Sequence, residues 1–200
     1  MLWQATMSDS LFGLVLAGGV SERMQMDKAL LDYHGQPQLQ WTYELIAPFC
    51  EDVFISVQAG QHDKIRDALP RIDDDGKAGP AGGLLAAAAA APGQTWLAVA
   101  CDLPFLNVTT LKTLLKMRDP EAMATAFRSV HDRLPEPLCA IWEPRGLAFL
   151  REQAANGVTC PRKTLIRADT HLLDPVSATA LDNINTPDEH ADAIGVIGAR

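Results

Sequence analysis

Leu11-Phe12-Gly13-Leu14-Val15-Leu16-Ala17-Gly18-Gly19 is a short apolar run that ends on paired glycines. Without polar alternation it reads as a strand buried on both faces, the kind a parallel sheet uses. Reading outward, Gln38 to Phe49 spaces Leu39, Tyr43, Ile46 and Ala47 as a helix does. Asp52 to Val57 is rich in β-branched residues and predicts a second strand. Gln61 to Leu69 predicts an amphipathic helix, and Arg71-Ile72 a very short strand stopped by Asp73-Asp74-Asp75-Gly76. Pro80 to Ala91 contains six consecutive alanines and opens on a proline suited to a first helical turn. A helix of such small residues can lie close to a sheet. Trp96 to Cys101 is the clearest buried strand of all.

Beyond it, Val108 to Lys116 predicts a helix, and Ala122 to Phe127 and Leu138 to Trp142 predict strands. Pro144 to Asn156 is a helix ended by Asn156-Gly157, and Pro161 opens a shorter one reaching Arg167. His171 to Leu173 and Ala180 to Ile184 are candidate edge strands, and Pro187 to Ile197 closes the chain as a helix capped by Thr186. Strands alternate with helices through the first half. The expectation is therefore an α/β, doubly wound, mostly parallel sheet with helices on both faces, and some mixed strands in the less regular second half.

Length and charge bound what such a fold can do. Two hundred residues suit a single domain, taken as residues 11–200, behind a flexible tail at residues 1–10. An apolar fraction of 48% with 21% charged residues excludes a disordered, collagenous or disulfide-stapled chain. With 25 acidic against 17 basic residues the formal charge is −8, the wrong sign for a general grip on nucleic acid. Any phosphate must be held by a few local groups. The four cysteines, Cys50, Cys101, Cys139 and Cys160, show no metal spacing and read as isolated buried thiols. No leader pattern precedes the first strand, and the weakly polar run from Pro80 to Pro92 is too short to span a bilayer. A cytoplasmic protein with no membrane partner is expected.

In an open parallel sheet, ligands sit beyond the carboxyl ends of the strands. Three polar segments occupy such positions. After the first strand, Gly18 and Gly19 leave backbone free to approach a ligand, and Arg23 and Lys28 follow with fixed positive charge. A glycine turn with two surface cations is the plain alternative, but glycines, arginine and lysine in this order suit a polyphosphate. The dinucleotide and Walker fingerprints are both absent, and Gly19-Val20-Ser21-Glu22-Arg23 fails as a nucleophile elbow at its last position. After the strand ending at Cys101, Asp102 is placed to hold Mg²⁺, which uses one or two carboxylates together with substrate phosphates. Capping a turn before Pro104 is its structural alternative. The third segment, Asp73 to Asp75, is by default solvated loop acid, one member of which could accept from a base or ribose.

Together these residues resemble the molybdenum cofactor guanylyltransferases, within the nucleotidyltransferases of Rossmann-like fold. The motif L-A-G-G-x-S-x-R-M-x-x-D-K is matched by Leu16, Ala17, Gly18, Gly19, Ser21, Arg23, Met24, Asp27 and Lys28. Gly79-Pro80-Ala81-Gly82-Gly83, Cys101-Asp102-Leu103-Pro104 and Leu181-Asp182-Asn183-Ile184-Asn185-Thr186-Pro187-Asp188 are similar to three further motifs, in the right order. The resemblance implies transfer of a guanylyl group from GTP to molybdenum-molybdopterin, with pyrophosphate released. It implies nucleotide contacts at Leu16, Ala17, Gly18 and Gly19, phosphate pairing by Lys28, and an acid at or beside Asp74 on the guanosine. Asp102 would carry Mg²⁺, Arg23 would neutralise the leaving pyrophosphate, and Asn183 and Asn185 would lie near the metal or the acceptor. Ser56 stands where many members carry Asn. Transient contact with cofactor-insertion proteins or molybdoenzymes is implied as well.

Such a transfer needs mainly positioning and charge neutralisation, supplied by Arg23, Lys28 and Asp102, and no general base, because the attacking phosphate is already ionised. The five histidines, His34, His62, His131, His171 and His190, read as surface or packing residues. Arg162 and Lys163 form a basic patch that either meets the acceptor's phosphate or is a solvated helix start. The alternatives are a cytidylyltransferase or sugar-phosphate nucleotidyltransferase on the same scaffold, and a non-catalytic nucleotide-binding partner in cofactor delivery.

Overall fold

A computed structural model of the chain describes residues 10–18 and 27–198. The tail before Ser10, and Gly19, Ser21, Arg23 and Met24, lie outside the described residues. The strands are β1 (Leu11–Leu16), β2 (Val53–Gln58), β3 (Arg71–Asp74), β4 (Thr95–Ala100), β5 (Ala124–Arg128), β6 (Pro135–Trp142) and β7 (Thr170–Leu173). The helices are α1 (Gln38–Ile46), α2 (Pro80–Ala90), α3 (Val108–Lys116), α4 (Pro144–Ala155), α5 (Pro161–Arg167) and α6 (Pro187–Gly198). The strands form one 7-stranded sheet in the order β3-β2-β1-β4-β6-β5-β7. All pairings are parallel except those of β6, which runs against both β4 and β5. A short connection obliges that reversal, because parallel neighbours need a long crossover. The expected doubly wound, mostly parallel sheet with a mixed second half is thus present.

The sheet is covered on both faces, which is why its central strands carry no polar alternation. β4 is buried throughout: Leu97 and Val99 face one cluster with Leu39, Ile46, Leu111 and Leu114, contributed by α1 and α3. Trp96 and Ala98 face the other, with Leu84 and Ala87 of α2 and Leu147 and Leu150 of α4. Close packing of the alanine-rich helix is visible at Gly83, where a Cβ would sit 2.4 Å from the Ser56 hydroxyl and 2.6 Å from Leu16 Cδ2. Only a residue without a side chain lets α2 approach β1 and β2 this closely.

Four expectations need correcting. Between Gln61 and Leu69 there is no amphipathic helix, only a single 3-10 turn at Arg66–Ala68. The Asp63 carboxylate accepts from the Ile65 and Arg66 amides at 2.9 Å each, and Pro70 cannot continue a helix. Ala180 to Ile184 is not a strand; Ile184 makes one backbone bond, to the Asp102 carbonyl at 3.2 Å, and buries its side chain with Leu31, Tyr33 and Ala193 of α6. Asp73 and Asp74 belong to β3, and Asp74 is buried rather than a solvated loop acid. Cys160 is exposed, unlike the buried Cys101 and Cys139.

Candidate active site

The chain leaves β1 toward β2 and β3 on one side and returns through β4 on the other. Strand order therefore switches between β1 and β4, and the loops after these two strands diverge around a crevice. Leu16 pairs with Ala100, so Ala17-Gly18 and Cys101-Asp102 emerge side by side from the same edge of the sheet. A cavity of about 370 Å³ opens there, lined among others by Leu16, Ala17, Gly18, Lys28, Ser56 and Asp74, with Asp102 on its far wall.

Lys28 spans this cavity's charged end. Its Nζ donates to Asp102 Oδ2 at 3.1 Å and to Asn185 Oδ1 at 2.6 Å. The ammonium is mostly shielded, with the Lys28 side chain 16% and the Asp102 side chain 23% exposed. Asn185 reaches this point because the next helix is capped reciprocally. Glu189 Oε2 accepts from the Asn185 and Thr186 amides at 2.7 and 3.1 Å, while the Glu189 amide donates to Thr186 Oγ1 at 3.3 Å. α6 is seated in turn by the cluster of Leu31, Tyr33, Ile184 and Ala193, and His190 packs edge-on against Tyr33.

The opposite end is neutral to acidic. Ser56 Oγ donates to Asp74 Oδ2 at 2.9 Å, and the Gly76 amide donates to Asp74 Oδ1 at 2.7 Å. A Cβ on Gly18 would lie 3.6 Å from the same Asp74 carboxylate and 3.3 Å from the Gln58 backbone nitrogen. The glycine keeps the strand exit in tight contact with the aspartate. Beside Asp102, burial first and the Asp102 charge second push the Cys101 thiol up to about 12. Cys101 is therefore a neutral packing residue and no competing nucleophile.

A second cavity, about 520 Å³, shares Pro80, Ala100, Asp102 and Leu138 with the first. Its wall includes Asn183, so the two asparagines divide: Asn185 meets Lys28, and Asn183 faces the neighbouring space. Arg162 lies there too, held by Asp132 Oδ2 at 3.0 Å and Glu136 Oε2 at 2.7 Å. It is an anchored guanidinium at the cavity wall and not a solvated helix start. Lys163 does not line either cavity. His131 lines the second cavity and bonds Asp182 at 2.9 Å, whereas His34 stacks on Trp41 as a packing residue.

The donor set suits a hard divalent cation. Asp102 and Asn185 already converge two oxygens on one positive charge, the Lys28 ammonium. Among the described residues no group of three or more His, Cys, Asp or Glu side chains could hold a metal alone. A cation here would draw its remaining ligands from phosphate oxygens and water, the habit of Mg²⁺. Of the expected site residues, Leu16, Ala17, Gly18, Lys28, Ser56, Asp74 and Asp102 share the first cavity, Asn185 adjoins it, and Gly19 and Arg23 lie outside the described residues. Sequence reading missed Arg66, which is 2% exposed and reaches the Ala17 carbonyl. Its partners lie far away in the chain, and no local spacing marks it.

Comparison with known proteins identifies the family and the fold. The model of the MobA-like NTP transferase domain matches residues 13–171. The chain is 32% identical over 189 residues to the probable molybdenum cofactor guanylyltransferase of Trichormus variabilis, covering 92% of this chain and 90% of that protein. It is 38% identical over 182 residues to the molybdenum cofactor biosynthesis bifunctional protein of Synechocystis, covering 90% of this chain and 52% of that protein, so it spans about half of that relative's length. Among solved structures, molybdopterin-guanine dinucleotide biosynthesis protein A from Archaeoglobus fulgidus superposes with a TM-score of 0.74 at 21% identity, over 94% of this chain and 100% of that one. At that identity the likeness speaks for the fold alone.

Proposed function

The chain belongs to the MobA-like NTP transferase family, and on that premise we propose that it transfers a guanylyl group from GTP to molybdenum-molybdopterin, forming the molybdopterin guanine dinucleotide cofactor. The observation that carries the reading is the meeting of two strand exits, Ala17-Gly18 and Asp102, across one cavity with Lys28 between them. The two relatives named for molybdenum cofactor guanylyl transfer and biosynthesis favour GTP and molybdopterin over other substrates.

In this reading the backbone of Leu16, Ala17, Gly18 and Gly19 lies along the nucleotide. Asp74, with one oxygen held by Ser56, presents its carboxylate to the guanosine. Lys28 turns from Asp102 and Asn185 to the phosphates, and Arg23 neutralises the departing pyrophosphate. An oxygen of the acceptor's phosphate attacks the α-phosphorus of GTP; the bond to the bridging oxygen breaks and its electron pair leaves on pyrophosphate. The attacking oxygen is already ionised at neutral pH, so no side chain must take a proton. A divalent cation, Mg²⁺ in this reading, would be held by Asp102 with Asn185 beside it, and supplies neutralisation of phosphate charge. Asn183 and Arg162 face the second cavity and would meet the acceptor. Asp102 lines both cavities, so in this reading the two anions would meet beside the cation it would hold.

We take residues 11–200 as one nucleotidyltransferase domain working in the cytoplasm, its product passing to cofactor-insertion proteins or molybdoenzymes by transient contact. No helix among the described residues is long and apolar enough to cross a membrane. Incubation with labelled GTP, Mg²⁺ and molybdopterin tests the proposal: dinucleotide and pyrophosphate are expected together. Product from CTP and none from GTP would overturn the guanylyl assignment.

A further inference from the structure

Arg66 is a buried cation used by neither the nucleotide nor the acceptor contacts above. It stands on the 3-10 turn before β3, 2% exposed, and its two terminal nitrogens are both paired while Nε has no partner. Nη1 is paired with Asp63, four residues before Asp67 on its own turn. Nη2 donates to Asp27 Oδ2 at 2.8 Å and to the Ala17 carbonyl at 3.3 Å. Ala17 is the second residue of the glycine-rich motif and Asp27 the last but one, and both line the nucleotide cavity. Arg66 itself does not line that cavity. One guanidinium therefore clasps both ends of the motif from the protein side.

The clasp has directional consequences. The C=O and N–H of a trans peptide point opposite ways, so holding the Ala17 carbonyl turns the Gly18 N–H away from Arg66. Asp27 is held through both oxygens: Oδ2 by Arg66 and Oδ1 by the Ala29 amide at 3.0 Å. That second bond starts the 3-10 turn Lys28–Leu30, from which the Lys28 side chain reaches Asp102 and Asn185. The clasp also has an electrostatic consequence. Asp27 is a carboxylate in the wall of a cavity read as a triphosphate site, and without a cation beside it would repel that ligand. Burial works against the Arg66 charge, but hydrogen bonding to Asp63 and the charge of Asp27 outweigh it and hold the guanidinium more firmly protonated than usual.

We propose that Arg66 is a positioning residue for nucleoside triphosphate binding: through Asp27 and the Ala17 carbonyl it sets the Gly18 amide and Lys28, and it masks the Asp27 charge. The proposal rests on the nucleotide reading given above. A lysine at this position keeps the charge but cannot reach Asp63, Asp27 and Ala17 at once with a fork.

The test uses the full chain with Arg66→Lys, Arg66→Met, Asp27→Asn and the double variant Arg66→Met with Asp27→Asn. GTP binding with Mg²⁺ is measured by calorimetry, KM for GTP and for molybdopterin by turnover, and the thermal midpoint without ligand. Losing a charge-assisted bond at each end of the motif should raise KM and Kd for GTP roughly tenfold or more in Arg66→Met. KM for molybdopterin should stay within about twofold, since the acceptor contacts are elsewhere. The double variant should recover part of the GTP affinity by removing the unmasked carboxylate, and Arg66→Lys should fall between it and wild type. Folded Arg66→Met and Arg66→Lys with unchanged GTP affinity and only lowered midpoints would overturn the proposal and leave Arg66 as a brace of the fold. If Arg66→Met does not fold, Arg66→Lys and Asp27→Asn decide the question by the same KM comparison. Should wild type bind no nucleoside triphosphate, the functional reading fails; non-additive midpoints of Arg66→Met and Asp27→Asn would still report the clasp separately.

Discussion

The two cavities that meet at Asp102 are built by different means. The first is walled largely by residues at strand ends: Leu16 on β1 with Ala17 and Gly18 just after it, Ser56 on β2, Asp74 on β3. The second is walled by β6, the start of α5 and the connections beside them, with Arg162 braced between Asp132 and Glu136, and His131 tied to Asp182. The first follows from sheet order, since adjacent parallel strands deliver their exits to one edge. The second exists only because β6 runs backward, which returns the chain to that edge and places Glu136 opposite α5. A strand-exit site is fixed by packing of the whole sheet. A site of side-chain pairs nearer the surface leans on contacts that are individually weak.

The largest test attacks the shared wall. Asp102→Ala should cut turnover on the order of a thousandfold or more while the folded signal by circular dichroism persists, since it removes the charged group common to both cavities. Turnover near wild type would mean that the cavities do not meet chemically at Asp102.

A pair of variants then separates the cavities. Asp74→Asn should raise KM for GTP by about tenfold or more and leave KM for molybdopterin near wild type, whereas Arg162→Met should do the reverse by a similar factor. Equal effects of both variants on both constants would show that the division into nucleotide and acceptor spaces is wrong.

Gly83→Ala sharpens the claim that the first cavity depends on close sheet packing. Alanine gains about 1 kcal/mol of helix propensity over glycine. The added methyl meets Ser56 Oγ at 2.4 Å and Leu16 Cδ2 at 2.6 Å, and overpacking of this kind costs about 1–3 kcal/mol. A net fall in the thermal midpoint is expected, accompanied by weaker GTP binding because Ser56 is pushed from Asp74. A higher midpoint would show that α2 has room to move.

The smallest effect concerns acid. Burial raises the Asp63 pKa, but the Arg66 and Ile65 amides and the Arg66 guanidinium outweigh it, so the group is held below its ordinary value of 3.8. A lowered folded pKa contributes stability above the unfolded value, and that contribution is lost as pH falls through the folded one. The midpoints of wild type and Asp63→Asn should therefore differ near neutrality and draw together below about 4. A constant difference across that range would show that Asp63 acts by packing rather than by charge.

Much of this was legible in one dimension, and the exceptions have a common cause. The buried strands at Leu11–Leu16 and Thr95–Ala100 stand out because a sheet covered on both faces needs unbroken apolar runs. α2 was readable from Pro80 and its alanines, and the cap at Thr186 from its place just before Pro187. The failures were segments whose local pattern competes with distant partners. Gln61 to Leu69 has helical spacing, yet Asp63 binds the next amides and Arg66 turns inward to Asp27. Ala180 to Ile184 has strand-like residues, yet Ile184 is claimed by the cluster under α6. The run Asp73 to Asp75 looks uniformly solvated, but Asp74, at the end of β3, is buried against Ser56 and the Gly18 exit.

Periodicity and turn residues were enough, by themselves, to establish the architecture and to nominate Gly18, Lys28 and Asp102, and the family resemblance added Asn185, because those signals are written over a few neighbouring residues. Which aspartate meets Ser56, where Arg162 is anchored, and that Arg66 joins Ala17 to Asp27 were decided only on folding. Each of these depends on polar groups far apart in the chain being brought side by side, and for Arg66 and Asp74 on their being buried there. The cost of leaving a buried charge unpaired is a property of the packed interior, and no stretch of sequence carries it alone.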